Sequence, residues 1–139
     1  MDEFTSAETA LAAVHYVVAP IRDDDLHRPT PCPDWDVAVL AEHLIDTICR
    51  LGVAAGLQTA PPTGDSIDQR IQQVTQPIIA GWRRRGLVGD VVFSGRTLPA
   101  HLALGILSLE LAVHGWDFAV ALHRPLDVSE AHAVVLELR

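Results

Sequence analysis

Apolar residues along this chain recur with the 3.6-residue period of α-helices and not with the two-residue alternation of strands. The clearest example is the second predicted helix, which begins after an N-cap at Asp36 and ends near Gly56. Its apolar positions lie three or four residues apart, which marks one buried stripe. They are Val37, Leu40, Leu44, Ile48 and Leu51.

The same period predicts three further long helices. The first runs from about Ser6 to Ala19, and the third covers about 66–86, with a kink or restart expected at Pro77. The fourth covers about 99–122 and is apolar nearly all round, so it should be buried among its neighbours. A capping-box pattern predicts a short fifth helix within 127–139.

These elements predict an all-α fold, an up-down four-helix bundle with a short extra C-terminal helix, in one domain covering residues 1–139. Two irregular stretches interrupt the helices. The connector before Asp36 contains three closely spaced prolines, which exclude a helix there. The stretch before Pro99 is also irregular, with a short extended piece expected at Val91–Phe93.

Composition and charge narrow the class of protein. A net charge of −8 disfavours nucleic acid and anionic membranes as partners, because both carry phosphate. The two cysteines form no C-x-x-C pair, which favours a reducing compartment. The first ten residues lack the pattern of a signal peptide, and three polar residues interrupt the longest apolar run. We therefore expect a soluble cytoplasmic protein.

Glu110 and His114 lie one helical turn apart in the apolar fourth helix. A buried carboxylate is costly without a partner, so this pair indicates either a structural Glu–His contact or a shared metal ion. His43, beside the apolar stripe of the second helix, could complete a set of two histidines and one carboxylate. That set is typical of catalytic zinc and of some other divalent metals. A surface position is the alternative for His43.

Other polar and aromatic residues near these positions allow two interpretations each. Asp117 could support the His114 ring as an outer hydrogen-bond acceptor, or face a loop. Cys32 could be a fourth ligand or a nucleophile, although packing is favoured. Trp35 and Trp116 could line a pocket, although the core is the more common place for them.

Two stretches carry a resemblance to a known family. The sequence "TPCPDWDVAVLAEHL" at 30–44, followed by "LELAVHGWDFAVAL" at 109–122, resembles the mycothiol-dependent maleylpyruvate isomerase family of the DinB-like helical-bundle superfamily. The resemblance implies a divalent metal, usually zinc, held by His43, Glu110 and His114. It also implies an actinobacterial-type setting in which a small thiol such as mycothiol is the cosubstrate.

Together these features favour a metal-dependent, thiol-using isomerase or S-transferase that acts on a small electrophilic substrate. A non-catalytic metal-binding or small-molecule-binding bundle is the first alternative, and a homodimer is compatible with it. A structural bundle without metal is the second alternative, and it requires another side chain to satisfy Glu110. His101, about half a revolution from Glu110 on the fourth helix, should point away from the site.

Overall fold

The protein is described from a computed structural model, which covers residues 2–126. The four long helices are α1 (Glu3–Val18), α2 (Val37–Ala54), α3 (Ile67–Arg85) and α4 (Ala100–Leu122). A single turn of 3-10 helix covers Asp23–Asp25. The mostly helical fold is confirmed, and the predicted fifth helix lies outside the described residues.

Side-chain caps explain where the helices begin. The Asp36 carboxylate accepts a hydrogen bond from Val39 N at 2.9 Å, as predicted for the start of α2. Ser66 and Gln69 form the predicted capping box of α3. α1 begins earlier than expected, because Asp2 caps it by accepting from Thr5 N. α3 continues through Pro77 as one helix instead of restarting there.

The directions of the helices differ from the predicted up-down order. Glu42 near the start of α2 pairs with Arg70 near the start of α3, so α2 and α3 run parallel. Arg124, just after α4, donates to the carbonyl of Tyr16 near the end of α1, so these two helices also run parallel. The His15–Asp68 pair joins the end of α1 to the start of α3, which makes those helices antiparallel. The order is therefore up-down-down-up.

A return connector between α2 and α3 makes this order possible. Residues 55–66 can span about 40 Å when extended, which exceeds the length of about 28 Å that 19 residues give α3. The connector lies along α3, where the backbone N–H groups of Thr63 and Gly64 donate to Gln73 Oε1. The prediction of alternating directions was wrong because this connector is long enough to return the chain along the whole of α3.

A β-hairpin joins α3 to α4 and corrects the all-α prediction. Strands β1 (Asp90–Phe93) and β2 (Arg96–Pro99) pair antiparallel. Ser94 and Gly95 form the turn with φ of 51° and 79°, as a two-residue turn with positive φ requires. Four-residue strands are too short for their alternation to stand out in the sequence, so only one extended piece was expected.

The core lies between the four helices. Trp82 of α3 is fully buried, and its indole N–H donates to the Leu51 carbonyl of α2 at 3.2 Å. α4 is long and apolar enough to cross a membrane by length and composition, but 61% of its most apolar window is buried within the fold. That burial is typical of a core helix in a globular protein.

Close packing of the parallel helices gives a testable prediction. A Cβ placed on Gly52 of α2 would lie 2.9 Å from two side-chain carbons of the buried Ile78 of α3. We expect Gly52→Ala to lower the free energy of unfolding by about 1–3 kcal/mol through overpacking, as measured by urea denaturation.

Gly105→Ala on α4 is the matched control, because a Cβ there would meet nothing within 4 Å. It should raise stability by up to about 1 kcal/mol through helix propensity. A Gly52→Ala protein as stable as the control would contradict the close approach of α2 and α3.

Candidate metal centre

The interface between α2 and α4 brings together the three residues predicted as ligands. One ligand atom from each of His43, Glu110 and His114 lies within 4.8 Å of the other two. The rings of His43 and His114 meet edge to face, with centroids 5.1 Å apart. The sequence had left open whether α2 and α4 contact each other, and the structure packs them together.

The connector before α2 positions His43. Trp35 packs on the His43 ring with centroids 4.6 Å apart. The backbone of this connector is fixed because Thr30 N donates to the Trp35 carbonyl and Val37 N donates to Arg28 O. Trp35 is therefore a wall of the site, whereas Trp116, also interpreted as a core residue, is 39% exposed.

A buried carboxylate orients the second histidine. Nδ1 of His114 donates to Oδ2 of Asp117 at 3.0 Å, and Asp117 is fully buried. The same oxygen accepts a hydrogen bond from the Cys32 thiol at 3.4 Å. In a neutral His114 ring, Nδ1 carries the proton, so the lone pair of Nε2 faces the site.

With the proton on Nδ1, Nε2 of His114 is a hydrogen-bond acceptor, and so is the neighbouring Glu110 carboxylate. Oε2 of Glu110 is buried and lies 3.1 Å from Nε2 of His114, but the contact lacks the geometry of a hydrogen bond. Two ligands of one tetrahedral zinc ion lie about 3.3–3.6 Å apart, since each is about 2.0–2.2 Å from the metal. The side chains therefore fit a shared divalent ion. Such an ion would also balance the charges of Glu110 and Asp117.

The pKa values describe the same site without a metal. Burial and the neighbouring His114 lower the pKa of His43, so its ring is neutral near pH 7. Close contact with the His114 ring holds the pKa of Glu110 below its usual range, against the opposing effect of burial. Burial disfavours the charged form of His114, but its contacts with Asp117 and Glu110 outweigh this and raise its pKa to about 9. With a proton on Nε2, the Glu110 carboxylate lies beside a cationic ring instead of a second acceptor.

Cys32, Asp117 and His114 form a second group with metal-ligating atoms within 4.8 Å of one another. It uses Nδ1 of His114, whose proton is already donated to Asp117. Because Asp117 accepts from both neighbours, this group is better described as hydrogen-bonded support for His114. Cys32 thus contacts Asp117, the residue that supports His114. Sequence reasoning did not assign this role to Cys32.

The fold also has a groove away from this site. It has a volume of about 690 Å³ and lies between α1 and α3, with Leu11, Ala12 and Ile79 in its lining. Its walls come from neither α2 nor α4, so it is separate from the His43–Glu110–His114 group.

The fold and the site together define the class of protein. It is a helical bundle with a candidate metal centre, in which two histidines and a glutamate meet at one helix–helix interface. A family model for the mycothiol maleylpyruvate isomerase N-terminal domain matches residues 7–86. This chain belongs to that family, and the resemblance seen in the sequence is confirmed. The matched range contains His43 and ends before Glu110 and His114.

Individual proteins give a weaker comparison. Two uncharacterised proteins of Mycobacterium tuberculosis, from strains CDC 1551 and H37Rv, are each 25% identical to the chain over 138 residues. The alignment covers 96% of this chain and 75% of each relative. No solved structure matches the chain.

The raised pKa of His114 predicts the pH dependence of metal binding. At pH 7 the metal-free ring is protonated, because its pKa is about 9. A zinc ion on Nε2 must displace that proton, so binding at pH 7 should release about one proton. Apparent affinity should fall about tenfold for each pH unit below 9. Calorimetry in two buffers with different ionisation enthalpies measures the release.

Asp117→Asn is the control for this prediction. It removes the carboxylate that raises the pKa of His114, so fewer protons should be released on binding. Zinc binding to the unmodified protein at pH 7 with no proton release would contradict the assigned protonation of His114.

Proposed function

We propose that this chain, as one cytoplasmic domain, binds one divalent ion through His43, Glu110 and His114, and that zinc is the ion. We further propose that it uses the site with a low-molecular-weight thiol such as mycothiol, in isomerisation or S-transfer on a small electrophilic substrate. The observation that supports this most directly is the convergence of Glu110 Oε2 and His114 Nε2. Membership of the mycothiol maleylpyruvate isomerase family supports the choice of thiol.

Each residue has a distinct part in this proposal. His43 binds as a neutral ring because its pKa is lowered, and Glu110 supplies negative charge. Asp117 holds His114 so that Nε2 faces the site. Three protein ligands leave a coordination position for another molecule. When zinc is bound by these three residues, it lowers the pKa of a thiol that it coordinates.

The reaction itself follows from thiol chemistry. Addition to an activated double bond joins the sulfur to one carbon and places the thiol proton on the neighbouring carbon. Rotation about the resulting single bond, followed by loss of the thiol and that proton, gives the isomerised product. Retention of the sulfur on the substrate is instead S-transfer. The Trp35 ring and the buried side of α4 shield the site from water on one side.

Metal content tests the ligand set. Protein purified without a metal-binding tag should contain about one equivalent of zinc, measured by inductively coupled plasma mass spectrometry. We expect His43→Ala and Glu110→Ala each to weaken zinc affinity at least about a hundredfold, because two ligands hold an ion far less well than three. His101→Ala, at an exposed position at the start of α4, should leave zinc content unchanged. Full zinc content in the His43 variant would contradict the assignment of His43 as a ligand.

Thiol binding tests the use of the site. Cobalt(II) in place of zinc gives a visible spectrum that changes when sulfur coordinates, and we expect a small thiol to produce that change. The metal-loaded protein should then accelerate the reaction of the thiol with a model electrophile. A thiol-dependent spectrum without acceleration would favour the non-catalytic binding alternative.

A further inference from the structure

One face of α4 remains apolar and accessible, although the opposite face lies in the core. The sequence predicts burial on nearly all sides of this helix, but only 61% of its most apolar window is buried. The apolar side chains on the outer face recur at alternating spacings of four and three residues, and we call them the α4 stripe. They are Leu102, Ile106, Leu109, Val113, Trp116 and Val120.

The exposure of the α4 stripe continues along the helix. Four of its six side chains are large apolar groups that are 39–51% exposed, and Ile106 and Val113 between them are half-buried. No charge interrupts the stripe, because the two charged residues of α4, Glu110 and Asp117, are turned toward the metal centre. Contiguous exposed apolar surface of this kind marks a binding surface on a globular protein.

We propose that a second copy of this chain packs its own α4 stripe against this one. Alternation of four and three residues is the spacing that keeps apolar side chains between two helices crossing at about 20°. In a dimer with two-fold symmetry the same surface contacts its own copy. A stripe without charge meets no repulsion from its counterpart at such a contact.

The residue types of the α4 stripe favour a pair of helices. In heptad terms its a positions are all β-branched, and they are Ile106, Val113 and Val120. Its d positions are two leucines and a tryptophan, Leu102, Leu109 and Trp116. β-branched residues at a with leucine at d favour two helices over three or four.

The size of the α4 stripe agrees with a weak dimer. From Leu102 to Val120 it extends for about 27 Å, at 1.5 Å per residue. Its accessible surface is about 500 Å², so two copies would bury about 1,000 Å² in total, which is the lower limit for a specific interface. We therefore expect a dissociation constant of about 1–100 µM, weaker than that of a permanent dimer.

The charges of the protein favour a second copy over a membrane surface as the occupant. Helices that lie on membranes carry Lys or Arg on the face turned to water, whereas α4 contains neither. Its opposite face packs in the core instead of facing water. The net charge of −8 opposes self-association as well, but salt screens charges on two copies beyond about 8 Å.

The proposed dimer would border the metal centre without covering it. Leu109 and Val113 directly precede Glu110 and His114, whose ligand atoms lie at the interface with α2. A second copy on the α4 stripe would therefore lie beside the site. The dimer rests on the stripe alone and on no bound metal, so it stands or falls separately from the proposed function.

Sedimentation velocity of the full chain tests the dimer. Over a range of about 1–500 µM, which spans the expected dissociation constant, the average mass should rise from 15.1 kDa toward twice that value. An unchanged mass of 15.1 kDa would overturn the proposal, whether residues 127–139, which lie outside the described structure, or another molecule covers the stripe. Protein that stays monomeric and floats with phosphatidylcholine vesicles would overturn it in favour of a membrane.

Lysine variants assign the contact to the α4 stripe. Leu109→Lys at its centre and Leu102→Lys near its end should each weaken the dimer at least about tenfold, because an unpaired charge is costly to bury. Lysine is a good helix former, and it reduces the net negative charge. Val88→Lys is the matched control, because Val88 is 90% exposed in the loop after α3 and lies outside the stripe.

Circular dichroism shows whether each variant keeps its helices. Leu102 lies more than two turns before Glu110, so its substitution leaves the metal centre unchanged. A dimer that is as tight in both stripe variants as in the unmodified protein would overturn the proposal. Dissociation caused by Val88→Lys would overturn it too, since the contact would then lie elsewhere.

Discussion

The hydrogen bond from Nδ1 of His114 to the fully buried Asp117 is the constraint on which the candidate site depends. It turns the lone pair of Nε2 into the site, where Glu110 Oε2 lies 3.1 Å away. Two acceptors so close together are stabilised by a cation that is near both of them. Without metal that cation is a proton, and the pKa of His114 rises to about 9. A divalent ion would replace the proton, gain His43 as a third ligand and balance both carboxylates. A proton and such an ion would therefore compete for the same nitrogen.

The up-down-down-up order of the helices places this interface at one side of the bundle. The loop before α2 reaches Asp117 through Cys32, while the hairpin before α4 reaches Arg50 nearer the other end of α2. α2 and α4 therefore run antiparallel, with His43 between those two contacts. The proline-rich connector that precedes α2 and the hairpin that precedes α4 thus border the site at its two ends. The buried helices carry the candidate ligands, and the less regular connections determine what surrounds them.

Local signals in the sequence predicted most of the helices and part of the candidate site. Helix periodicity and caps such as Asp36 and Ser66 located the helices, because caps act within a few residues. The spacing of Glu110 and His114 predicted two of the three candidate ligands for the same reason. The parallel packing of α2 and α3 could not be read, because it depends on a connector whose path is set by tertiary contacts such as Gln73 with Thr63. The contact between α2 and the β-hairpin through Arg50 was not predicted either, because a single arginine on a helix surface is common. Its contacts with Ser94 and Phe93 exist only in the folded chain.

Anomalous diffraction at the zinc absorption edge, from crystals of the zinc-loaded protein, tests the central claim most directly. The account predicts one peak bonded to Nε2 of His114, a ring nitrogen of His43 and a carboxylate oxygen of Glu110, each about 2.0–2.2 Å away. Nδ1 of His114 should remain hydrogen-bonded to Asp117. A peak between Cys32, Asp117 and Nδ1 of His114, or no peak at either group, would contradict it.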